Sequence, residues 1–336
     1  GPMAFPHLFS PLRIGPVEAR NRVVFGAHFT MFSEPAPVFG EPGFYGDRLG
    51  RYLAERARGG AGIVIAGQAQ VHPTTAYQMH NNAVAWHPAS VPHFRRLTSR
   101  VRAHGALAFL QLAHNGGVNQ GQWSRLPAWA PSAVANSLEA PKVLERREIA
   151  ELVLAFGRSA ANAAAGGFQG IEVHGAHGYL IHEFLSPRSN RRTDEYGGSL
   201  ENRMRFGFEV LEEIRRQVGG DYIVGMRLSG DEMIEGGLSA DDCLTIIRKV
   251  AGSGLIDFAN VYVGHMSDMI SYATHLPGMI APAAPYLHLA SAVKAEIDIP
   301  VFHATRVTDL ATAARAIDDG HVDMIAMTRG HIADPH

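Results

Sequence analysis

Residues 169–175 read Gln-Gly-Ile-Glu-Val-His-Gly, a short run bounded by glycine with the length and make-up of a strand. Working outward, comparable runs recur at 22–27, 61–68, 106–114, 222–229, 257–264, 299–305 and 322–329. Most are nearly continuous Val, Ile, Leu, Ala and Met rather than strictly alternating, as expected of strands covered on both faces. The stretches between them carry helical spacing. Ile149, Leu152, Val153 and Phe156 fall at i, i+3, i+4 and i+7, and Met204, Phe208, Leu211, Ile214 and Val218 form a second stripe, with Ser199 placed to cap its helix. Eight strands alternating with helices at this length predict an α/β fold, a (β/α)8 TIM barrel. The first turn, Gly26-Ala-His-Phe-Thr30, lacks the glycine pattern of a dinucleotide-binding sheet, and no G-x-G-x-x-G follows any strand. The eighth run ends near Arg329 with seven residues left. The helix that should cover strands eight and one is therefore expected beyond His336, so the barrel reads as truncated before its final covering helix.

The chain of 336 residues is 46% hydrophobic and 18% charged, which excludes intrinsic disorder and allows one large core. Thirty Lys+Arg against 32 Asp+Glu leave no bulk charge to attract nucleic acid or an anionic membrane, so a small-molecule substrate is the expected partner. Homo-oligomerisation is left open. The single cysteine, Cys243, excludes an intramolecular disulfide and any thiolate cluster within these residues, and a reducing, cytoplasmic location is expected. No apolar run is long enough for a membrane span.

In such barrels the active site lies at the C-terminal ends of the strands. Gln111 interrupts an apolar run on strand three, and Arg227 does so on strand five, where a buried cation needs an anion or a rich acceptor; Glu172 and Asp231 are the carboxylates that could pair with it. Strand four runs into His174, His177 and Tyr179, groups able to hold an anionic oxygen and supply a proton. Metal binding by His174, His177 and His182, or with His28, is the competing reading from chemistry alone, that of a metal-dependent barrel hydrolase. Arg306 and the pair Thr328-Arg329, at the ends of strands seven and eight, sit where barrels commonly bind phosphate.

The run Gly175-Ala-His-Gly-Tyr-Leu-Ile-His-Glu-Phe-Leu-Ser-Pro-Arg-Ser-Asn-Arg-Arg-Thr-Asp-Glu-Tyr-Gly-Gly-Ser-Leu-Glu-Asn-Arg203 resembles the Old Yellow Enzyme family of flavin oxidoreductases. Leu8-Phe-Ser-Pro-Leu-Arg-Ile-Gly15, Asn21-Arg22, Gln111-Leu-Ala-His114 and Ala333-Asp-Pro335 extend the resemblance across the chain. It is most similar to the multidomain branch that holds 2,4-dienoyl-CoA reductases and trimethylamine dehydrogenase. That resemblance implies an FMN-binding barrel domain over residues 1–336, reduced by NAD(P)H. It also implies a downstream [4Fe–4S] cluster and an FAD- and dinucleotide-binding module in a longer chain.

The same resemblance implies roles for individual residues. Ala27 and the Gly67-Gln68 backbone would line the flavin ring, Gln111 would bond its pyrimidine edge, and Arg227 would sit near N1/O2. Arg306, Thr328 and Arg329 would hold the phosphate, and no metal is implied in this chain. His174 and His177 match the pair that binds the substrate's activating oxygen, Tyr179 the proton donor, and His265 a second active-site histidine. The implied reaction is hydride transfer from reduced flavin to an activated C=C bond; amine dehydrogenation or demethylation is the alternative on the same scaffold. Some positions depart from the pattern: Phe29 stands where many relatives have Cys, Thr or His near the flavin O4, the His174–His177 pair is one that dienoyl-CoA reductases lack, Gly117 stands where simpler members often carry arginine, and Gln68 where amine dehydrogenases place an aromatic cage residue.

Overall fold

Each apolar run becomes a strand because its side chains can be buried on both sides, against the barrel interior and against the surrounding helices. The computed structural model describes residues 5–26, 33–34, 43–75, 83–118, 127–134, 140–263, 287–307 and 310–327. Its barrel strands, numbered in chain order, are β1 (Val23–Phe25), β2 (Ile63–Gln70), β3 (Leu107–Ala113), β4 (Gly170–Gly175), β5 (Ile223–Asp231), β6 (Phe258–Val263), β7 (Val301–Val307) and β8 (Met324–Met327). All pair in parallel with their chain neighbours, and β8 closes on β1. The eight expected runs are the eight barrel strands. Residues 328–336 lie outside the described residues, and with them the expectation about a final covering helix.

The helical stripes also behave as read. In the helix Arg146–Ala165, Ile149, Leu152 and Phe156 are buried and Val153 packs on the core. In the helix Leu200–Val218, Met204, Leu211 and Ile214 are buried, and Ser199 Oγ accepts the Asn202 N–H at 3.2 Å.

The lower end of the cylinder is closed. A hairpin of Leu12–Ile14 and Val17–Ala19, turning at Gly15 with φ +53°, packs Ile14 and Ala19 under the strand N-termini. Above it Phe109, Phe258 and Phe302 stack in the interior, with centroids 5.8 Å and 4.3 Å apart and interplanar angles of 16° and 8°. Gly225 makes room for this stack, because a Cβ there would overlap the Phe258 ring. Gly225→Ala is accordingly expected to destabilise the fold by about 1–3 kcal/mol through overpacking, measurable by denaturant melts. An unchanged melt would mean that the stack yields.

Candidate active site

Alternation along β4 turns Glu172 and His174 to one face, the interior, while Ile171 and Val173 pack outward against the helices. Glu172 is fully buried just above the aromatic stack and gathers donors from three strands. Gln111 Nε2 on β3 donates to Oε1 at 2.7 Å, Arg227 Nε on β5 donates to the same oxygen at 3.1 Å, and Asn260 Nδ2 on β6 donates to Oε2 at 2.9 Å. Of the two carboxylates considered for Arg227, Glu172 is the one it meets. Excellent geometry of this kind is what a buried pair needs to offset its desolvation.

This polar layer leaves hydrogen-bonding groups of its own unused. The terminal guanidinium nitrogens of Arg227, the Gln111 amide oxygen and the buried Asn260 Oδ1 take part in no hydrogen bond with any described residue. Opposite them the wall is made of small residues. A Cβ on Gly26 would lie 3.5 Å from Ala326 Cβ and 3.9 Å from Arg227 Nη2, and one on Gly67, where φ is +134°, would come within 2.9 Å of the Gln111 carbonyl oxygen. A flat heterocycle bearing N–H and C=O groups along one edge fits such a cradle, so the residues present suit an isoalloxazine ring. Ala27, Phe29, Thr328, Arg329, His265 and His28 lie outside the described residues, as does the side chain of Arg306, whose backbone is in β7.

Next to this layer, His174, His177 and Tyr179 come together as the sequence predicts. His174 Nε2 is 3.0 Å from His177 Nδ1, and the His174 and Tyr179 ring centroids are 4.6 Å apart. The Ala176 N–H donates to His174 Nδ1 at 3.2 Å, which assigns the His174 proton to Nε2. Burial, aided by the nearby His177, Arg227 and His182, holds the His174 pKa well below its ordinary value, so the ring stays neutral. His177 has φ +61°, a conformation that residues other than glycine seldom adopt and that recurs at functional sites. Its ring meets Tyr262 edge-on, with centroids 3.9 Å apart.

Gln68 does more than line a ring with its backbone: its Nε2 donates to the Tyr179 hydroxyl oxygen at 3.2 Å. Gln70 in turn reaches Gln68 Oε1 at 3.3 Å. Turning the Gln70 amide end for end places its nitrogen 2.8 Å from Thr75 Oγ1 and 3.3 Å from Ala113 O. A matching turn of Gln68 would let its oxygen accept the Tyr179 proton, so the amide pair can hold that hydroxyl in either sense. Sequence reading missed Asn260, Tyr262 and the Gln68 side chain. The signal for Asn260 was present, a lone amide inside the apolar run of β6.

His182 belongs to a different group. It lies 3.2 Å from Glu232 Oε2 and 3.2 Å from Ser229 Oγ, behind the mouth. Burial alone would raise the Glu232 pKa, but His182, the Leu238 N–H and the Ser186 hydroxyl together bring it down to about 2. Among the described residues no group of three or more His, Cys, Asp or Glu side chains is arranged to hold a metal ion.

Gly117, at the position where simpler members often have arginine, donates its N–H to Glu183 Oε1 at 2.8 Å. Burial pushes the Glu183 pKa up to about 8, against that hydrogen bond. Between the ordinary value of 4.5 and about 8 the folded chain holds this proton and the unfolded chain does not, so stability falls as pH rises through that window. Glu183→Gln should abolish this loss and melt a few degrees higher than wild type at pH above about 8, with the gain shrinking toward pH 5. Parallel melting-temperature profiles for the two proteins would refute this.

Residues 7–336 match the NADH:flavin oxidoreductase / NADH oxidase family, and the chain belongs to it. It is 36% identical, over 99% of its length and 48% of the relative's, to N,N-dimethylglycine/sarcosine dehydrogenase of Chromohalobacter salexigens. It is 39% identical, over 98% of its length and 48% of the relative's, to the multifunctional alkene reductase/demethylase OYE of Caballeronia cordobensis. A solved complex of 2-naphthoyl-CoA reductase with 2-naphthoyl-CoA superposes with a TM-score of 0.87 at 29% identity, covering 96% of this chain and 50% of that one. The Old Yellow Enzyme resemblance and the barrel are thus borne out, and the metal-dependent hydrolase is set aside by membership in a flavin oxidoreductase family. The chain spans about half the length of these relatives. No helix among the described residues is long and apolar enough to cross a membrane.

Proposed function

We propose that this chain binds FMN over the Gln111–Glu172–Arg227 layer and reduces activated C=C bonds at the expense of NAD(P)H. The observation that carries this reading is the His174–His177 pair, with His174 kept neutral by burial, standing beside Tyr179 and next to a buried guanidinium whose Nη2 lies by Gly26. FMN bound there and reduced by NAD(P)H supplies a hydride to the β-carbon of the alkene. The protein's own work is orientation, charge and one proton. The His177 ring, held in place by His174 Nε2–H on its Nδ1, binds together with His174 the carbonyl oxygen conjugated to the alkene, where negative charge develops; one such donor is worth about 3 kcal/mol of barrier. Tyr179 delivers its hydroxyl proton to the α-carbon, and Gln68 Nε2–H, already donating to the phenol oxygen, supports the phenolate left behind. Arg227 places positive charge where a reduced ring carries negative charge. Ala27 and Gly67 would border the ring, Arg306, Thr328 and Arg329 would hold its phosphate, and His265 would serve as a further active-site histidine.

A second reading, oxidative N-demethylation of an amine on the same ring, is favoured by curated relatives, among them the two above, whose names carry amine dehydrogenase or demethylase activity. A neutral His174 suits it, because such a substrate must present an unprotonated nitrogen. Gln68 in place of an aromatic residue argues against a permanently cationic substrate, which is best held by ring faces.

The test uses the chain loaded with FMN. After reduction by NADH or NADPH without oxygen, cyclohexenone is added and flavin absorbance is followed; oxidised protein is separately offered N,N-dimethylglycine. Reoxidation by cyclohexenone supports the alkene reading, and bleaching by the amine alone replaces it with demethylation. A chain that takes up no FMN defeats both.

A further inference from the structure

Glu172 touches neither the mouth nor the His–His–Tyr cluster, yet it is the common acceptor of three strands. Its partners are all donors, so it acts only as an acceptor. Its distance to Arg227 Nε is 3.1 Å, in a setting where both side chains are almost fully buried and the effective dielectric is low. Nε is the inner nitrogen of the guanidinium. With Nε engaged there, the outer nitrogens make no bond to the carboxylate, and Nη2 lies 3.9 Å from where a Cβ on Gly26 would stand.

We infer that Glu172 is a positioning residue that sets the redox preference of the flavin site: it aims Arg227 at the ring and offsets part of its charge, with Asn260 fixing the carboxylate from the far side. The inference rests on the flavin reading above. Its reasoning is electrostatic. An uncompensated guanidinium would favour the reduced, anionic ring over the oxidised one strongly; a carboxylate bonded to that guanidinium restrains the preference and keeps the reduced cofactor a willing hydride donor. Asn260 contributes one amide hydrogen to the unshared oxygen of Glu172, which holds the carboxylate in the register that leaves Oε1 to Gln111 and Arg227.

The readout is the midpoint potential of FMN bound to the whole chain, equivalent to the ratio of affinities for reduced and oxidised FMN. Glu172→Gln removes the charge with little change of shape and should raise that ratio at least tenfold, about 30 mV for a two-electron couple. The double variant Glu172→Gln/Asn260→Asp moves the carboxylate from β4 to β6, on the other side of Arg227, while keeping an amide–carboxylate pair, and should return the ratio to within about threefold of wild type. Glu172→Asp keeps the charge but withdraws it by one methylene from Arg227 and should shift the ratio in the same direction by a smaller factor; it carries the test should Glu172→Gln fail to fold. A fully loaded Glu172→Gln protein with an unmoved potential or, where that variant does not fold, a Glu172→Asp protein with an unmoved potential would reduce Glu172 to a structural tie and overturn the inference while leaving the flavin reading intact. Failure of the wild-type chain to bind FMN would instead overturn the flavin reading, and this inference with it.

Discussion

Tyr179→Phe should slow the reduction of cyclohexenone by the FMN-loaded chain about 10²- to 10³-fold while FMN retention and reduction by NAD(P)H stay near wild type. The expectation follows from where the hydroxyl sits. Tyr179 is fully buried, with its ring against His174 and its oxygen 3.2 Å from Gln68 Nε2. Removing one oxygen leaves the ring packing in place and orphans one amide hydrogen, a cost of about 1–3 kcal/mol in stability, small enough for a large domain to keep its fold. The loss should therefore fall on the proton-transfer step alone. Rapid mixing of each half-reaction separates the cases. If the alkene reoxidises the variant at the wild-type rate, Tyr179 is not the acid; if reduction by NAD(P)H is slowed instead, the side chain shapes the nicotinamide site.

Arg227→Met should release most of the FMN and destabilise the barrel by about 3–5 kcal/mol, the usual result of stripping one partner from a buried ion pair. Glu172 would keep its bonds from Gln111 and Asn260 but lose the only cation in contact with it among the described residues. The two effects are read separately, occupancy from the flavin spectrum after gel filtration and stability from denaturant melts. Full occupancy in the variant would remove Arg227 from cofactor binding, and an unchanged melt would mean that the ion pair contributes nothing to stability.

What the sequence made legible follows from burial. Strands packed on both faces leave an uninterrupted apolar trace, so all eight could be found, and polar intruders such as Gln111 and Arg227 stood out against it. Ser199 was legible because a cap is a local event, closed within three residues. The Gln68–Tyr179 contact spans 111 positions and the Glu172–Asn260 contact 88; nothing local in either segment records its partner. Glu172 was weighed only as a counter-ion, because sequence shows a carboxylate near an arginine but not the three-strand convergence that makes it a hub. The site itself was recognised through the long run after β4, whose family pattern carried information that periodicity and charge do not.

The hairpin and the three stacked phenylalanines stop one end of the cylinder. With that end sealed among the described residues, the proposed chemistry opens on the other end, a doorway shared by the nicotinamide that delivers electrons and the molecule that receives them. They must visit in turn, and steady-state rates plotted against one at several fixed levels of the other should fall on parallel double-reciprocal lines.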